Sequence, residues 1–293
     1  MAKALPSYGI VPGMAMDLTV ADTDGVYWDF DKPEIRQKAK DIIASTRPMF
    51  IIGSPMCTAF STWQRLNAAK GDPVLRKRAL KRAKVHMTFM AELYEMQIAA
   101  GRFFLHEHPE WASSWQLPEI MALLQRDDVD RVRADQCQYG AAVTKGPKTG
   151  EPILKPTGFM SNSAVLLNQL RRRCTGRGGE CSAKPGQRHA LCSREVARQA
   201  AIYSRELCRA ILLGMKHQLA EMGIIERAAY GLQSQSFELL KVEEELDPEL
   251  YSGRHKDDLT GQVLRDDLVQ TAREKEMSYF ASKKVWEKIT RAE

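Results

Sequence analysis

The sequence predicts an α/β fold, a parallel sheet flanked by helices and followed by a helical, partly disordered C-terminal tail. Three observations predict it. Strand-like apolar runs alternate with helical runs between residues 26 and 135, the composition turns to Gly, Pro and Lys after Gly140, and it turns to dense charge after Ala229.

Each element has its own warrant. Asp31 stands where it can cap a helix over 33–45 that opens on Pro33, and PMFII, residues 48–52, reads as a buried strand closed by Gly53. A long helical pattern over 74–100 stops at Gly101, and RFFLHEH follows as a strand ending at Pro109. A short helix over 117–125 leads into VDRVRADQCQYG, whose alternating apolar positions predict a third strand. Helical connections make the strands parallel, so the strand ends near 53, 107 and 135 line one edge of the sheet, where open α/β folds bind their ligands. GAAVTKGPKTGEPILKPTG then reads as loop and hairpin. A helix over 164–173, a Cys-, Gly- and Arg-rich loop over 174–192 and a long helix over 193–221 follow. Residues 1–229 are expected to form one α/β domain and residues 230–293 a charged tail.

With 293 residues the chain has room for a substantial core. Its net charge of +6 is modest but clustered. Arg65, Lys70, Arg76, Lys77, Arg78, Lys81, Arg82 and Lys84 face a single acid, Asp72, and a second basic stretch runs from Arg171 to Arg188. Two such patches favour a polyanionic partner, although a Lys/Arg-rich helix can equally show a solvated face. No apolar run approaches the ~20 residues that cross a bilayer, and the N-terminus lacks a secretory pattern. The six cysteines (57, 137, 174, 181, 192 and 208) are scattered rather than dense. Reduced thiols and an intracellular location, cytoplasmic or nuclear, are the expectation, with no membrane partner.

The segment GSPMCTAFS, residues 53–61, brings sequence and chemistry together. Cys57 would sit on the turn after a strand, where backbone amides and a helix start near Ser61 favour a thiolate; the alternative is a buried, inert thiol. A phosphatase loop is excluded, because position 63 is Trp and Arg65 lies too far along the chain.

This segment resembles the Gly-x-Pro-Pro-Cys-x-x-Phe-Ser motif of DNA cytosine-5 methyltransferases, with Met56 in place of the second proline. The resemblance implies a Rossmann-like, methyltransferase-type sheet in which Cys57 attacks C6 of a flipped-out cytosine and so activates C5 toward the methyl group of S-adenosylmethionine. The family's strand-terminal Glu-Asn-Val or Glu-Asn-Pro is matched in order and spacing by Glu107-His108-Pro109, which implies that Glu107 holds the cytosine edge. AMDLT and YWDFDKPE resemble the acidic strand ends that hold the cofactor, implying Asp17 and Asp29 at that site; the two aspartates can also be read as cap or turn residues. Pro55 of the Cys57 motif is the third residue the resemblance implies there. Two departures stand out. The Phe-x-Gly-x-Gly loop expected before Asp17 is missing, as though the chain began after the first strand, and the Gln-x-Arg-x-Arg segment is replaced by ADQCQYG and KPTGFMSN.

Those segments, with HEHP and the AAIYSRELCRAILLGM helix, resemble a methyltransferase-like region in the polyproteins of copia-type retroelements. DDLTGQVLRDDLVQTAREKEMSYFASKKVWEKI resembles the linker toward the copia-type reverse transcriptase. The resemblance therefore implies a degenerate methyltransferase-like domain that binds or acts on nucleic acid, DNA foremost, with other polyprotein segments as partners. Arg65, Arg76, Lys77, Arg78, Lys81, Arg82, Arg171, Arg172 and Arg173 are the expected phosphate contacts. The alternatives are a non-catalytic nucleic-acid-binding or assembly module and an inactive retroelement fragment.

Finally, Cys174, Cys181, His189 and Cys192 form a C-x6-C-x7-H-x2-C cluster that can be read as a structural zinc site or as free thiols in a basic loop. His106 and His108, two apart on a strand, share a face and raise a weaker metal reading.

Overall fold

A computed structural model describes residues 8–61, 72–192 and 194–225. Arg65 and the tail 230–293 lie outside the described residues.

Helix α1, Pro33–Thr46, buries Ile35, Ala39 and Ile43, spaced four apart on one stripe, against Trp28, Phe89 and Leu93. Pro33 sets its first turn, but the cap position falls on Lys32 and makes no side-chain cap. Asp31 is not the cap. Its carboxylate is drawn instead to the His86 ring, at 2.9 Å, and to the Arg82 guanidinium, whose charge outcompetes orphan amides for it. Strand β1, Phe50–Gly53, follows. Helix α2, Pro73–Ala99, opens on Asp72, whose side chain accepts from the Val74 amide at 2.8 Å. Its first three turns are largely exposed, and burial begins at Ala83.

Strand β2, Phe103–Pro109, helix α3, Pro118–Leu124, and strand β3, Asp130–Asp135, come next, then strand β4, Pro156–Ser161. Helix α4 spans Ala164–Asn168. It stops short of the expected 173 because residues 172–174 are drawn to Asp135: its amide donates to the Arg172 carbonyl, and its carboxylate accepts from the Cys174 amide and Arg173. The loop over 174–192 contains a hairpin of β5, Glu180–Cys181, and β6, Lys184–Arg188. The expected single helix over 193–221 is two, α5, Arg194–Gln199, and α6, Arg205–Glu221. Ser204 divides them: it caps α6 by accepting from the Leu207 amide and donates to the Tyr139 carbonyl, so the chain there cannot stay helical.

The molecule is α/β with a mixed four-stranded sheet in the order β1-β2-β4-β3. The expectation of an all-parallel sheet is corrected. β1 and β2 are parallel, but β4 lies antiparallel to both β2 and β3. The β3–β4 connection carries only a short 3-10 turn, Gln136–Tyr139, and no helix to return the chain over the sheet, so the chain comes back reversed. Because β4 opposes both neighbours, β1, β2 and β3 point the same way. Their carboxyl ends at Gly53, Pro109 and Asp135 share one edge with the start of β4, as the pairs Pro109 with Thr157 and Asp135 with Pro156 record. On β2, Phe104, His106 and His108 face the α2/α3 side, where Tyr94 stacks on Phe104 with ring centroids 4.3 Å apart. Leu105 faces the other side, with α4 and α6. No described helix is long and apolar enough to cross a membrane.

Candidate functional site

The carboxyl edge of the sheet gathers the candidate residues. β1 ends on Gly53 because nothing larger fits: a β-carbon there would lie 2.0 Å from Tyr94 Oη and 2.3 Å from Met90 Cε. The chain then turns off the sheet through Ser54 and Pro55 into Cys57, which precedes a 3-10 turn over Thr58–Phe60 closed by the Phe60 amide on the Cys57 carbonyl at 3.0 Å. The expected activated thiolate is not what this turn provides. Burial pushes the half-buried Cys57 thiol up, and the Glu107 charge adds to that; the Lys155 ammonium opposes both without prevailing. Cys57 therefore rests as a thiol at neutral pH.

Glu107 projects from β2 to the face opposite His106 and His108 and is buried. Ser54 Oγ donates to its Oε2 at 3.1 Å, and Lys155 Nζ donates to its Oε1 at 3.4 Å while also reaching the Ala200 carbonyl at 3.3 Å. With its one proton committed to Glu107, Ser54 accepts from Tyr203 Oη at 2.6 Å. Burial raises the Tyr203 phenol well above its ordinary range, and the nearby Glu107 charge raises it further, so it remains a donor. The result is a relay from Tyr203 through Ser54 to Glu107, with Lys155 beside both Glu107 and Cys57.

Sequence reasoning missed Tyr203, Ser54 and Lys155. All three lie inside segments quoted for the resemblance, Ser54 in GSPMCTAFS, Lys155 in KPTGFMSN and Tyr203 in AAIYSRELCRAILLGM, but nothing local singles them out, because their partners are distant in sequence.

Behind Cys57, on the α2/α3 face, His108 Nδ1 bonds Ser114 Oγ at 2.6 Å, and His106 Nδ1 bonds Tyr94 Oη at 2.9 Å. Burial lowers His108 to about 4, with Glu107 and the Pro55 carbonyl opposing it, and pushes His106 well below its usual range. Both are neutral at physiological pH. They stack 5.6 Å apart inside a shell that includes Trp115, and no third metal-ligating side chain joins them among the described residues.

The cofactor candidates are used locally. Asp17 Oδ1 accepts from the Thr19 amide at 2.8 Å and from its hydroxyl at 2.5 Å, which closes an Asx turn. Asp29 Oδ1 accepts from the Asp31 amide at 3.2 Å, and its Oδ2 lies 4.0 Å from Lys32. Pro55 is half-buried in the Cys57 turn.

Of the basic residues, Lys77, Arg78 and Lys81 are exposed on the first turns of α2 and Arg76 is half-buried there. Arg82 is bound to Asp31. Arg171 is exposed, Arg172 stacks over Tyr139 with 5.2 Å to the ring centroid, and Arg173 Nε donates to Asp135 at 3.0 Å. Arg82, Arg172 and Arg173 thus have structural work inside the protein.

The Cys/His cluster assembles, with one exchange. Cys174, Cys181 and His189 come together with Cys137 of the 3-10 turn after β3, and the four ligand atoms all lie within 4.8 Å of one another. Cys192 is exposed and is not among them. Spacing could not reveal Cys137, because it stands 37 residues before Cys174 inside what reads as a strand (174 minus 137).

No family model, no curated protein and no solved structure matches the chain.

Proposed function

We propose that residues 1–229 are a degenerate methyltransferase-like domain of the DNA cytosine-5 type that binds nucleic acid as part of a retroelement polyprotein inside the cell. One observation carries the reading: Cys57 and Glu107, each expected from a motif, stand at the carboxyl ends of the adjacent parallel strands β1 and β2, Cys57 on the turn that follows β1 and Glu107 near the end of β2. The strand directions agree with it, since a sheet parallel except for one reversed strand beside its last member is compatible with the closing half of a methyltransferase-type sheet. Lys155 adds a cation that a base or phosphate can meet, and the exposed Lys77, Arg78, Lys81 and Arg171 supply further phosphate contacts.

The chemistry available to this chain alone is addition and elimination. The Cys57 thiol would first give its proton to solvent; the thiolate would add to C6 of a cytosine, the C5–C6 π electrons would move toward N3, and C5 would take a proton from solvent. Loss of the other C5 hydrogen as a proton would return its electron pair to C5–C6, expel the thiolate and restore the base. S-adenosylmethionine, when bound, would supply a methyl group to C5. The described residues do not fit a complete donor site, because Asp17 and Asp29 are engaged in their own turns.

Calorimetric titration of the full chain with S-adenosylmethionine tests the degenerate assignment. No heat of binding at micromolar concentration is expected; micromolar affinity would show that a donor site survives and would overturn the degenerate assignment. A second reading, a binding module in which Cys57 only packs, draws on the raised thiol of Cys57.

A further inference from the structure

The hairpin of β5 and β6 is fixed against the sheet without a core of its own. Among residues 171–189 only Cys181 is fully buried, and a two-stranded hairpin is marginal in water unless something fastens it. What its buried side chain meets is Cys137 of the turn after β3, with Cys174 and His189 completing a set whose ligand atoms are mutually within 4.8 Å. A tetrahedral zinc ion, with Zn–S of about 2.3 Å and Zn–N of about 2.0–2.1 Å, requires S···N edges of about 3.5–3.6 Å. Cys174 Sγ and His189 Nε2 are 3.6 Å apart.

Hydrogen-bond donors surround the sulfurs. The Ser182 amide and hydroxyl point at Cys174 Sγ at 3.4 and 3.5 Å, and Gln138 Nε2 lies 3.6 Å from Cys137 Sγ and 4.0 Å from Cys181 Sγ. Such N–H donors form the outer shell that orients metal-bound sulfur. The turn that presents Cys174 is built for close approach, since a β-carbon at Gly176 would lie 2.0 Å from the Glu180 carbonyl oxygen. With three thiolates, one neutral imidazole and one Zn²⁺ the centre would carry a net charge of −1.

We infer that Cys137, Cys174, Cys181 and His189 form a structural zinc site that pins the β5–β6 hairpin to the end of β3. Loading displaces the thiol protons to solvent and changes no oxidation state. The inference is independent of the reading of Cys57 and Glu107.

The full chain, purified without chelator, is expected to carry about one zinc per molecule by elemental analysis. Cys137→Ser should lower that content at least about tenfold, whereas Cys192→Ser should leave it unchanged. Metal-stripped wild-type protein titrated with Co²⁺ should develop thiolate-to-cobalt absorption and the visible bands of a tetrahedral site. In untreated wild-type protein Cys174 should resist alkylation while Cys192 is labelled, and chelator should expose Cys174; this comparison stands even if Cys137→Ser does not fold. Protein free of zinc that takes up no Co²⁺, metal lost with Cys192→Ser but kept with Cys137→Ser, or a disulfide among the three cysteines would each overturn the site.

Discussion

At the scale of single residues the chemistry of the site depends on burial more than on motif. The Cys57 segment reads as an activated nucleophile because strand-edge turns often offer amides to a thiolate. Here the turn spends its Phe60 amide on a backbone carbonyl, and desolvation prevails. The sign is definite: a thiol whose ionisation is pushed up has little thiolate at pH 7 and gains it only as pH rises past its ordinary range. Alkylation of Cys57 by iodoacetamide, followed by peptide mass spectrometry, should therefore be slow at pH 7.5 and should accelerate through about pH 9–10. Fast labelling at neutral pH would mean that Lys155 outweighs burial. Glu107 illustrates the complementary point. Its motif gave the position, but its working partners, Ser54, Tyr203 and Lys155, come from three segments that only folding brings together.

At the scale of elements, what was legible was whatever local sequence dictates. The α2 helix and the β2 strand lie within a residue of expectation, because Asp72 caps one and the apolar run FFLHEH defines the other. What was not legible depends on distant partners. β4 reads as loop because its six residues include a Pro and a Gly and its pairing is entirely non-local. The helix break at Ser204 depends on the Tyr139 carbonyl 65 residues earlier. The end of β1 shows how strictly packing fixes an element. Gly53→Ala places a methyl group against Tyr94 and Met90 and should destabilise the protein by about 1–3 kcal/mol in urea titration. Adding Tyr94→Phe should cost less than the sum of the two single changes, because it removes the oxygen that the new methyl group meets. Strict additivity would place the clash elsewhere.

At the scale of the whole molecule, three co-directional strands and one reversed strand produce a single chemical edge, with helices covering both faces of the sheet. The α2/α3 face holds neutral histidines in an aromatic shell, and the opposite face holds the Tyr203–Ser54–Glu107 relay with Lys155. Exposed basic residues lie on α2 and at Arg171. On the proposed function, this edge receives a cytosine and Cys57 adds to it. Exchange of the C5 hydrogen of cytosine in a single-stranded DNA oligonucleotide, followed in heavy water without any methyl donor, tests this most directly. The wild-type chain should catalyse exchange faster at pH 9 than at pH 7.5, and Cys57→Ser should abolish it while leaving DNA affinity unchanged. Exchange no faster than in buffer at either pH, with DNA still bound, would contradict the claim and leave Cys57 a packing residue.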